Sequence, residues 1–499
     1  MINTINLSSY AFEKVKEGKN AFECAMSFAR RLPGVERIVI AGTEKPRPEK
    51  QNDTTLIVRD KWHFKDLLMV MEQEARGMEN IFYIYGDCPL LDLALASRMY
   101  ENHKRYFAEY TFADGYPYGL SPEILSIRLL PPLRKLAEES QIPITRESIF
   151  TIIQKDINAF DIETEISPVD LRLYRVSLTC DNKRNYQQTK AIVGAGGKDE
   201  KSVIDILISR RELLRTLPAY ASIQIIDGCL QACSYCPFPR LGGRILEQRN
   251  TMPEELFNLI LDKLNEFSDD IIVSVSLWGE PSLHPEISNL VNSVLRLNSF
   301  SLIIETSGVG WDERTLGKIA SHTAGLPNGN SRLDWIISLD SGDPELYTRL
   351  RGAGLADALK TIDTLLPMFP GKVHIQAVRM KSNEENLEGF YRHWKKLTDN
   401  VIIQKYDNFC GFLPQEKVTD LSPLKRFPCW HIKRDLTILL DGRVIMCRED
   451  LKNEYIIGNI LTEPLPEIWN RGEKYYLQQL REQYNPLCEK CDEYYTYNF

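Results

Sequence analysis

The middle of the chain alternates short apolar runs with longer stretches in which apolar residues recur every three or four positions. The short runs have the length and β-branched content of buried strands, and the longer stretches have helical spacing. Strands that alternate with helices predict a parallel sheet, because each crossover returns the chain to the same end of the sheet. The predicted strands are residues 222–226, 271–277, 301–305, 335–339, 373–378 and 401–404, and the predicted helices are residues 253–267, 285–297, 313–320, 355–366 and 385–397.

The first third of the chain predicts a separate α/β domain. Apolar runs at residues 37–42 and 80–85 have the composition of buried strands, and a helical stretch at residues 64–75 lies between them. Residues 194–201 are rich in glycine and charge, which is typical of a linker or an exposed loop. We therefore expect the first domain to cover residues 1–195.

The carboxyl-terminal segment has a pattern of its own. Asp441-Gly442 separates two apolar runs within residues 436–447, which is a strong signal for a β-hairpin with a two-residue turn. An amphipathic helix is predicted at residues 466–480. We expect a small third domain at residues 406–499, which leaves residues 196–405 for the parallel-sheet domain.

Composition excludes some classes of function. The 499 residues carry a formal net charge of -8, and the sequence pI is about 5.6. A domain that grips phosphate backbones is usually basic, so we expect no nucleic-acid partner. No stretch approaches the roughly 20 apolar residues that cross a bilayer, so we expect no membrane partner. The first twenty residues lack a signal-peptide pattern, and we expect a cytoplasmic protein.

Cysteine dominates the candidate chemistry. The chain has 11 cysteines, and cytosolic thiols stay reduced, so close groups of cysteine indicate metal sites rather than disulfides. Cys229, Cys233 and Cys236 have the spacing C-x3-C-x2-C. Three thiolates on one loop can hold three irons of a 4Fe–4S cluster and leave the fourth iron open to S-adenosylmethionine (SAM). The alternative is zinc, although structural zinc sites usually close with four ligands.

These cysteines and the residues after the next three predicted strands resemble the motifs of the radical SAM superfamily. Tyr235 fills the aromatic position of the family's cysteine motif, C-x3-C-x-aromatic-C. Trp278-Gly279-Glu280-Pro281 resembles the family's Gly-Gly-Glu-Pro, with tryptophan in place of the first glycine. Thr306 follows the third strand, and the pair Ser338-x-Asp340 follows the fourth. The resemblance implies that the residues near SAM are Tyr235, Gly279, Glu280, Pro281, Thr306, Ser338 and Asp340.

The same resemblance implies a partial (β/α)6 barrel and a radical reaction. Reductive cleavage of SAM would give methionine and a 5′-deoxyadenosyl radical, which abstracts hydrogen from a substrate at the barrel mouth. The electron would come from a reductant such as flavodoxin or ferredoxin. Two substrate classes stay open, namely a peptide or protein and a carbohydrate or nucleotide-linked molecule. The alternative function is that of a non-enzymatic scaffold that binds zinc.

A second set of cysteines lies near the carboxyl terminus. Cys429, Cys447, Cys488 and Cys491 supply four thiolates, the number that closes either a 4Fe–4S cluster or a structural zinc site. Their pattern, with glycine five residues before Cys447, resembles the SPASM and twitch extensions of radical SAM proteins. A full SPASM domain has further cysteines for a second cluster, so we expect one auxiliary 4Fe–4S cluster here. Cys410 is either an extra ligand or a buried free thiol.

The first domain carries a motif of a different kind. Gly86-Asp87-Cys88-Pro89-Leu90 resembles the Gly-Asp-x-Pro-Leu motif of sugar-nucleotide cytidylyltransferases, especially the spore-coat polysaccharide type. In that family the matching aspartate helps to hold Mg²⁺, so the resemblance implies Mg²⁺ at Asp87, with Asp181 as a second candidate ligand. Carboxylates at the end of a strand suit this hard cation.

One part of the cytidylyltransferase pattern is missing. Such enzymes open with a glycine-rich loop that cradles the triphosphate, whereas residues 6–20 keep only Lys14, Lys16 and Lys19. Three roles for the domain stay open: catalytic transfer, nucleotide or sugar binding, and a purely structural role. The combination of this domain with a radical SAM core and a short cysteine-rich tail resembles the spiro-SPASM family.

Overall fold

The computed structural model describes residues 1–43, 54–138, 143–241 and 250–496, and it divides into two compact units. The first unit is Met1–Thr216 and the second is Leu217–Phe499. Both combine helices with parallel strands, which confirms the predicted α/β class. Among the described residues, no helix has the length and apolar content that a membrane span requires.

The first unit is built on a mixed sheet. Its strands are β1 (Ile2–Thr4), β2 (Lys14–Lys16), β3 (Lys19–Asn20), β4 (Ile38–Gly42), β5 (Thr54–Val58), β6 (Asn80–Tyr85), β7 (Tyr110–Asp114), β8 (Glu123–Ser126) and β9 (Ile162–Ile166). Its helices are α1 (Ala21–Arg31), α2 (Phe64–Glu74), α3 (Leu93–Arg105), α4 (Leu130–Glu138), α5 (Ser148–Ile153), α6 (Lys183–Gly194) and α7 (Glu200–Ser209). The order across the main sheet is β5-β4-β1-β6-β8-β7-β9, and β2 pairs with β3 in a separate hairpin.

The predicted strands of this unit are confirmed at β4 and β6. β1 pairs in parallel with both of them, so their carboxyl ends lie at one edge of the sheet. The stretch 194–201, which we interpreted as a linker, joins α6 to α7. Val203 and Leu207 of α7 are buried in the same core as Ile124 of β8. The compact unit therefore extends to Thr216, and the domain boundaries given above stay predictions.

The second unit contains the predicted parallel strands and the helices between them. Its strands are β10 (Tyr220–Ile223), β11 (Ile272–Ser274), β12 (Ser301–Thr306), β13 (Leu333–Ser338), β14 (Val373–Arg379), β15 (Val401–Lys405), β16 (Asp435–Ile438), β17 (Arg443–Ile445) and β18 (Ile456–Asn459). Its helices are α8 (Glu254–Phe267), α9 (Ile287–Arg296), α10 (Glu313–Ala324), α11 (Pro344–Arg351), α12 (Leu355–Met368), α13 (Glu384–Trp394), α14 (Trp430–Arg434), α15 (Leu465–Leu480) and α16 (Pro486–Glu489).

The strands β10 to β15 form a parallel array in chain order. β16 pairs in parallel with the free side of β10, and β17 and β18 then continue the sheet in antiparallel fashion. The predicted hairpin is thus present as β16 and β17, but it extends the barrel sheet instead of standing apart from it. All functional loops after β10 to β15 lie at the carboxyl-terminal edge of this array.

One apolar core runs through the whole second unit. It contains barrel residues such as Ile223 and Trp335 together with Ile432, Leu436 and Trp469 from the carboxyl-terminal segment. Full burial of each such side chain contributes about 1.5–3 kcal/mol relative to exposure. The carboxyl-terminal segment is therefore held to the barrel by shared packing as well as by the pairing of β10 with β16.

Candidate functional site

The first cysteine group lies on the loop that follows β10. The loop is compact, since the Gln231 main-chain nitrogen donates to the Cys229 Sγ atom at 3.4 Å and the Cys236 nitrogen donates to the Cys233 carbonyl at 3.1 Å. Burial raises the pKa of both Cys229 and Cys236 to about 12. Thiols in such surroundings lose their protons when a metal ion binds, which fits this donor set to an iron–sulfur cluster.

A buried arginine fixes this loop, and sequence reasoning missed it. Arg351, at the end of α11, donates to Asp340 Oδ2 at 2.7 Å and to Gln231 Oε1 at 3.1 Å. The Tyr235 hydroxyl also donates to Asp340 Oδ2, at 2.6 Å. The Arg351 side chain is 4% exposed and the Asp340 side chain 0%. The ion pair therefore joins the cysteine loop to the end of β13 and positions Tyr235.

Both carboxylate oxygens of Asp340 accept hydrogen bonds from protein groups. Its Oδ1 atom accepts a hydrogen bond of 2.7 Å from the main-chain nitrogen of Val378 on β14. Asp340 also has a φ of +65°, which marks a sharp turn directly after β13. These bonds assign Asp340 a positioning role, and its nearness to SAM stays a prediction.

The Glu280 side chain ties three loops together. Its carboxylate accepts hydrogen bonds from the Thr306 hydroxyl, from the Ser307 nitrogen at 2.8 Å and from the Ser307 hydroxyl at 2.7 Å. The Glu280 nitrogen donates to the Gly228 carbonyl of the cysteine loop at 2.8 Å. Burial raises the pKa of Glu280 above its ordinary value. Glu280 is thus engaged with Thr306 and Ser307 inside the protein, and its contact with SAM stays a prediction.

The two residues before Glu280 have unusual backbone requirements. A Cβ atom on Gly279 would lie 2.3 Å from the Ile226 carbonyl oxygen, so only glycine fits there. Trp278 has a φ of +53°, in the left-handed region that glycine adopts easily and that costs other residues about 1–2 kcal/mol. Its indole ring packs against Phe409, with 5.7 Å between ring centroids. Tryptophan thus keeps the glycine-type backbone and adds an aromatic surface. Pro281 follows, buried, and begins a short 3₁₀ turn.

A cavity of about 230 Å³ opens at this edge of the barrel. Cys229, Tyr235, Cys236, Trp278 and Gly279 line one side of it. The strands contribute a polar interior made of Ser222, Ser274, Ser276, Glu305, Ser338, Gln376 and Gln404. Gln376 Nε2 donates to Glu305 Oε1 at 2.9 Å and to the Ser338 hydroxyl at 3.1 Å. Of the predicted SAM-site residues, Tyr235, Gly279 and Ser338 line this cavity, whereas Glu280, Pro281, Thr306 and Asp340 are not among its lining residues.

The second cysteine group lies in the carboxyl-terminal segment, with Cys429 and Cys488 buried and Cys447 and Cys491 half-buried. Cys429 precedes α14, Cys447 follows β17, and Cys488 and Cys491 lie in and after α16. Burial raises the pKa of Cys429 and of Cys447 well above the ordinary range, and that of Cys488 to about 11. Gln479 of α15 connects two of them, since it accepts from the Cys429 nitrogen at 2.7 Å and donates to Cys488 Sγ at 3.4 Å. Four neighbouring thiols, two on buried and two on half-buried residues, fit a closed metal or cluster site.

Cys410 lies beside this group. Its thiol forms a hydrogen bond with Cys491, which raises the pKa of Cys410 and lowers that of Cys491. Phe409 and Cys410 both have positive φ angles, +49° and +55°. The loop thus bends sharply enough to bring a fifth thiol to the site. Both interpretations of Cys410, extra ligand and free thiol, stay open.

Charged side chains next to the second cysteine group also line the cavity, and no local pattern in the sequence predicts them. Arg448 and Asp407 line the cavity, and Arg448 Nη2 lies 3.4 Å from Asp407 Oδ2. Arg448 also pairs with Glu449 at 3.1 Å. Burial, together with the nearby Glu493, raises the pKa of Asp407 to about 6. Since Arg448 directly follows Cys447, the cavity reaches from one cysteine group to the surroundings of the other.

In the first unit, Asp87 lies after β6 and is buried, as expected for a residue at the carboxyl edge of the sheet. Its nearest charged partner is Arg146, at 2.5 Å. Lys14, Lys16 and Lys19 lie in the β2–β3 hairpin.

Two family models match the chain. The model described as "Radical SAM superfamily" matches residues 223–393, and the SPASM model, described as "Iron-sulfur cluster-binding domain", matches residues 429–492. An uncharacterized protein of Treponema pallidum (strain Nichols) is 38% identical over 363 residues, which cover 70% of this chain and 98% of that protein. A second uncharacterized protein of the same organism is 32% identical over 154 residues, 28% of this chain and 70% of that protein.

The fold is similar to several solved structures. Streptococcus suis SuiB bound to precursor peptide SuiA is 15% identical, with 69% of this chain and 78% of that chain covered and a TM-score of 0.43. BtrN in complex with AdoMet and 2-DOIA is 17% identical, with 56% and 94% covered and a TM-score of 0.36. A cytidylyltransferase from Leptospira borgpetersenii is 16% identical, with 44% and 97% covered and a TM-score of 0.35. At these identities and scores, no substrate or activity is transferred from these structures.

Proposed function

The chain belongs to the radical SAM superfamily and carries a SPASM iron–sulfur domain, and we propose that it cleaves SAM on a cluster held by Cys229, Cys233 and Cys236. The observation that carries this proposal is the cavity that Cys229 and Cys236 share with the polar ends of the barrel strands. The cavity offers both a place for a cluster and a place for a ligand next to it. A bare zinc site would need neither the opening nor the polar lining.

Cys229, Cys233 and Cys236 would hold the cluster, which when bound and reduced would supply the electron that splits SAM into methionine and a 5′-deoxyadenosyl radical. The protein's own residues hold the geometry. Arg351 and Asp340 fix the loop and the Tyr235 ring. Glu280 locks the loops after β11 and β12 against the cysteine loop. Because these side chains are satisfied by one another, the site is formed before any ligand enters, and little ordering cost remains at binding.

We propose that Cys429, Cys447, Cys488 and Cys491 hold one auxiliary 4Fe–4S cluster. Its proposed role is to bind the substrate or to accept an electron from the substrate radical. Support comes from Arg448, which follows Cys447 and lines the cavity directly. A structural zinc ion is the alternative occupant of the four thiols.

The substrate is proposed to present a polar group to the barrel. Serine, glutamine and glutamate side chains from β10 to β15 line the interior and offer both donors and acceptors. A peptide or protein side chain and a carbohydrate or nucleotide-linked molecule both satisfy this requirement. A protein reductant of the flavodoxin or ferredoxin type is the proposed electron source.

Metal analysis tests this proposal. Protein reconstituted anaerobically with iron and sulfide should contain two 4Fe–4S clusters, or about eight irons per chain. Cys447→Ala should lower the iron content by about half if that cluster is lost, and Cys24→Ala, which changes a thiol in the first unit, should leave it unchanged. Protein that contains zinc at both sites and takes up no iron would contradict the proposal.

A further inference from the structure

The carboxyl edge of the first unit contains an ion pair where the cytidylyltransferase resemblance implies Mg²⁺. Arg146 Nη2 lies 2.5 Å from Asp87 Oδ2, and the same nitrogen lies 3.7 Å from Asp181 Oδ2. Both carboxylates that could bind the metal therefore converge on one guanidinium nitrogen. The Arg146 group also lies over the Tyr85 ring, 4.6 Å from its centroid, which adds a cation–π contact.

The Arg146–Asp87 ion pair is largely shielded from solvent. The Asp87 side chain is 4% exposed and the Arg146 side chain 19%. A buried pair of this kind is held by charge-assisted hydrogen bonding, and the removal of one partner leaves an uncompensated charge in a dry environment. A cation that entered beside Asp87 would first have to displace the guanidinium from the carboxylate.

With Arg146 in place, neither aspartate offers a free carboxylate oxygen to Mg²⁺. Asp181 Oδ1 already accepts from the Thr179 hydroxyl at 2.8 Å and from Asn185 Nδ2 at 2.9 Å. Asp87 Oδ1 faces the Cys88 thiol, whose sulfur lies 3.5 Å away. Mg²⁺ demands near-octahedral oxygen ligands, and the oxygen that these contacts leave on each aspartate, Oδ2, faces the Arg146 guanidinium. The residues present therefore do not fit the metal.

The segment that would have to bind the triphosphate is also used for packing. Residues 6–20 contain a short 3₁₀ turn and the β2–β3 hairpin. Val15 of the hairpin is buried with Ala21, Cys180 and Tyr186. Lys16 Nζ donates to the Lys198 carbonyl at 3.1 Å. The β2–β3 hairpin thus packs against the rest of the first unit. This packing argues against a triphosphate-binding loop independently of Arg146.

We propose that Arg146 serves as a permanent internal cation where the cytidylyltransferase resemblance implies Mg²⁺, so that the first unit binds no metal at Asp87. Of the three roles left open by the sequence, metal-dependent transfer is the one that this arrangement excludes.

The test is Mn²⁺ binding to the full-length, cluster-loaded protein. The amount of Mn²⁺ that stays free is measured from its room-temperature electron paramagnetic resonance signal. The wild-type protein and Asp87→Asn should leave the same amount of Mn²⁺ free. Arg146→Ala should bind about one additional Mn²⁺ per chain, because both aspartates become available, and the double variant Arg146→Ala/Asp87→Asn should lose it. Mg²⁺ should displace the Mn²⁺ that Arg146→Ala binds.

A matched control exists on the surface of the same unit. Arg172 also lies between two aspartates, at 2.8 Å from Asp170 and 3.3 Å from Asp114, but its side chain is 63% exposed. Arg172→Ala should bind no additional Mn²⁺. Circular dichroism should show that Arg146→Ala is folded, and Arg146→Met replaces it if it is not.

Two results would overturn the proposal. One is uptake of Mn²⁺ by the wild-type protein that disappears in Asp87→Asn, which would show a working metal site despite the arginine. The other is a folded Arg146 variant that binds no more Mn²⁺ than the double variant. The first comparison needs no Arg146 variant, so the proposal can be tested even if neither variant folds.

Discussion

Single residues around the first cysteine group act mainly by holding one another. Arg351 binds Gln231 and Asp340 at once, and it lies 120 positions from Gln231 in the sequence. The cysteine spacing could be predicted because it is local, whereas this pair could not, since nothing in a sequence marks which distant arginine will meet which aspartate. Trp278 is a similar case, because its positive φ follows from the loop geometry and not from the residue's own preference.

Arg351 gives the prediction at this scale. Arg351→Met should destabilise the second unit by about 3–5 kcal/mol and lower SAM cleavage, because Asp340 is left charged and buried without its partner. Thermal unfolding and 5′-deoxyadenosine formation are the measurements. The double variant Arg351→Met/Asp340→Asn should recover part of the stability, and Arg349→Met, an exposed arginine of the same helix, should behave as the wild type. Equal stability of Arg351→Met and wild type would contradict the assigned role.

At the scale of elements, the pattern of apolar runs predicted the strands β10 to β15 and the hairpin of β16 and β17. It did not predict that β16 pairs with β10. This pairing joins Ala221 to Leu436, and the register of such a distant parallel pair depends on the whole barrel being present. The charged boundary of Asp407 and Arg448 was missed for the same reason, because it forms only when the segment docks.

The docking of this segment leads to a prediction for the auxiliary group. Cys447→Ala removes one thiolate, but the β10–β16 pairing and the shared apolar core do not depend on it. The variant should therefore still cleave SAM with dithionite as reductant. It should no longer modify the true substrate. Circular dichroism should confirm the fold, and Cys24→Ala is the matched thiol control. A folded Cys447→Ala protein that releases no 5′-deoxyadenosine would contradict the proposal that SAM cleavage depends on the first cysteine group and not on the second.

At the scale of the molecule, the chain divides at Thr216 into two compact units. The sequence predicted three domains, because composition and motifs change near residue 406. Within the second compact unit, Ile432, Leu436 and Trp469 belong to the barrel core, and the boundary near residue 406 stays a prediction. A change of motif in the sequence marks a change of chemistry, and it coincides with a boundary between compact units only where few apolar contacts cross it.

This division predicts how truncated chains behave. Residues 217–499 alone should express as folded protein and keep SAM cleavage, because the unit has its own core. Residues 217–428 should aggregate, since the truncation removes β16 from the side of β10 and exposes the apolar surface that the carboxyl-terminal segment covers. Size-exclusion chromatography separates the outcomes. A monomeric, folded 217–428 protein would contradict the account of one shared core.

We propose above that Cys229, Cys233 and Cys236 hold the cluster that cleaves SAM. The most direct measurement is 5′-deoxyadenosine formation by anaerobically reconstituted, dithionite-reduced protein, with Cys233→Ala compared with wild type and with Cys24→Ala. We expect 5′-deoxyadenosine from the wild type and from Cys24→Ala. We expect none above background from Cys233→Ala, because one iron then lacks its thiolate. Cleavage of SAM by Cys233→Ala at the wild-type rate would contradict the proposal.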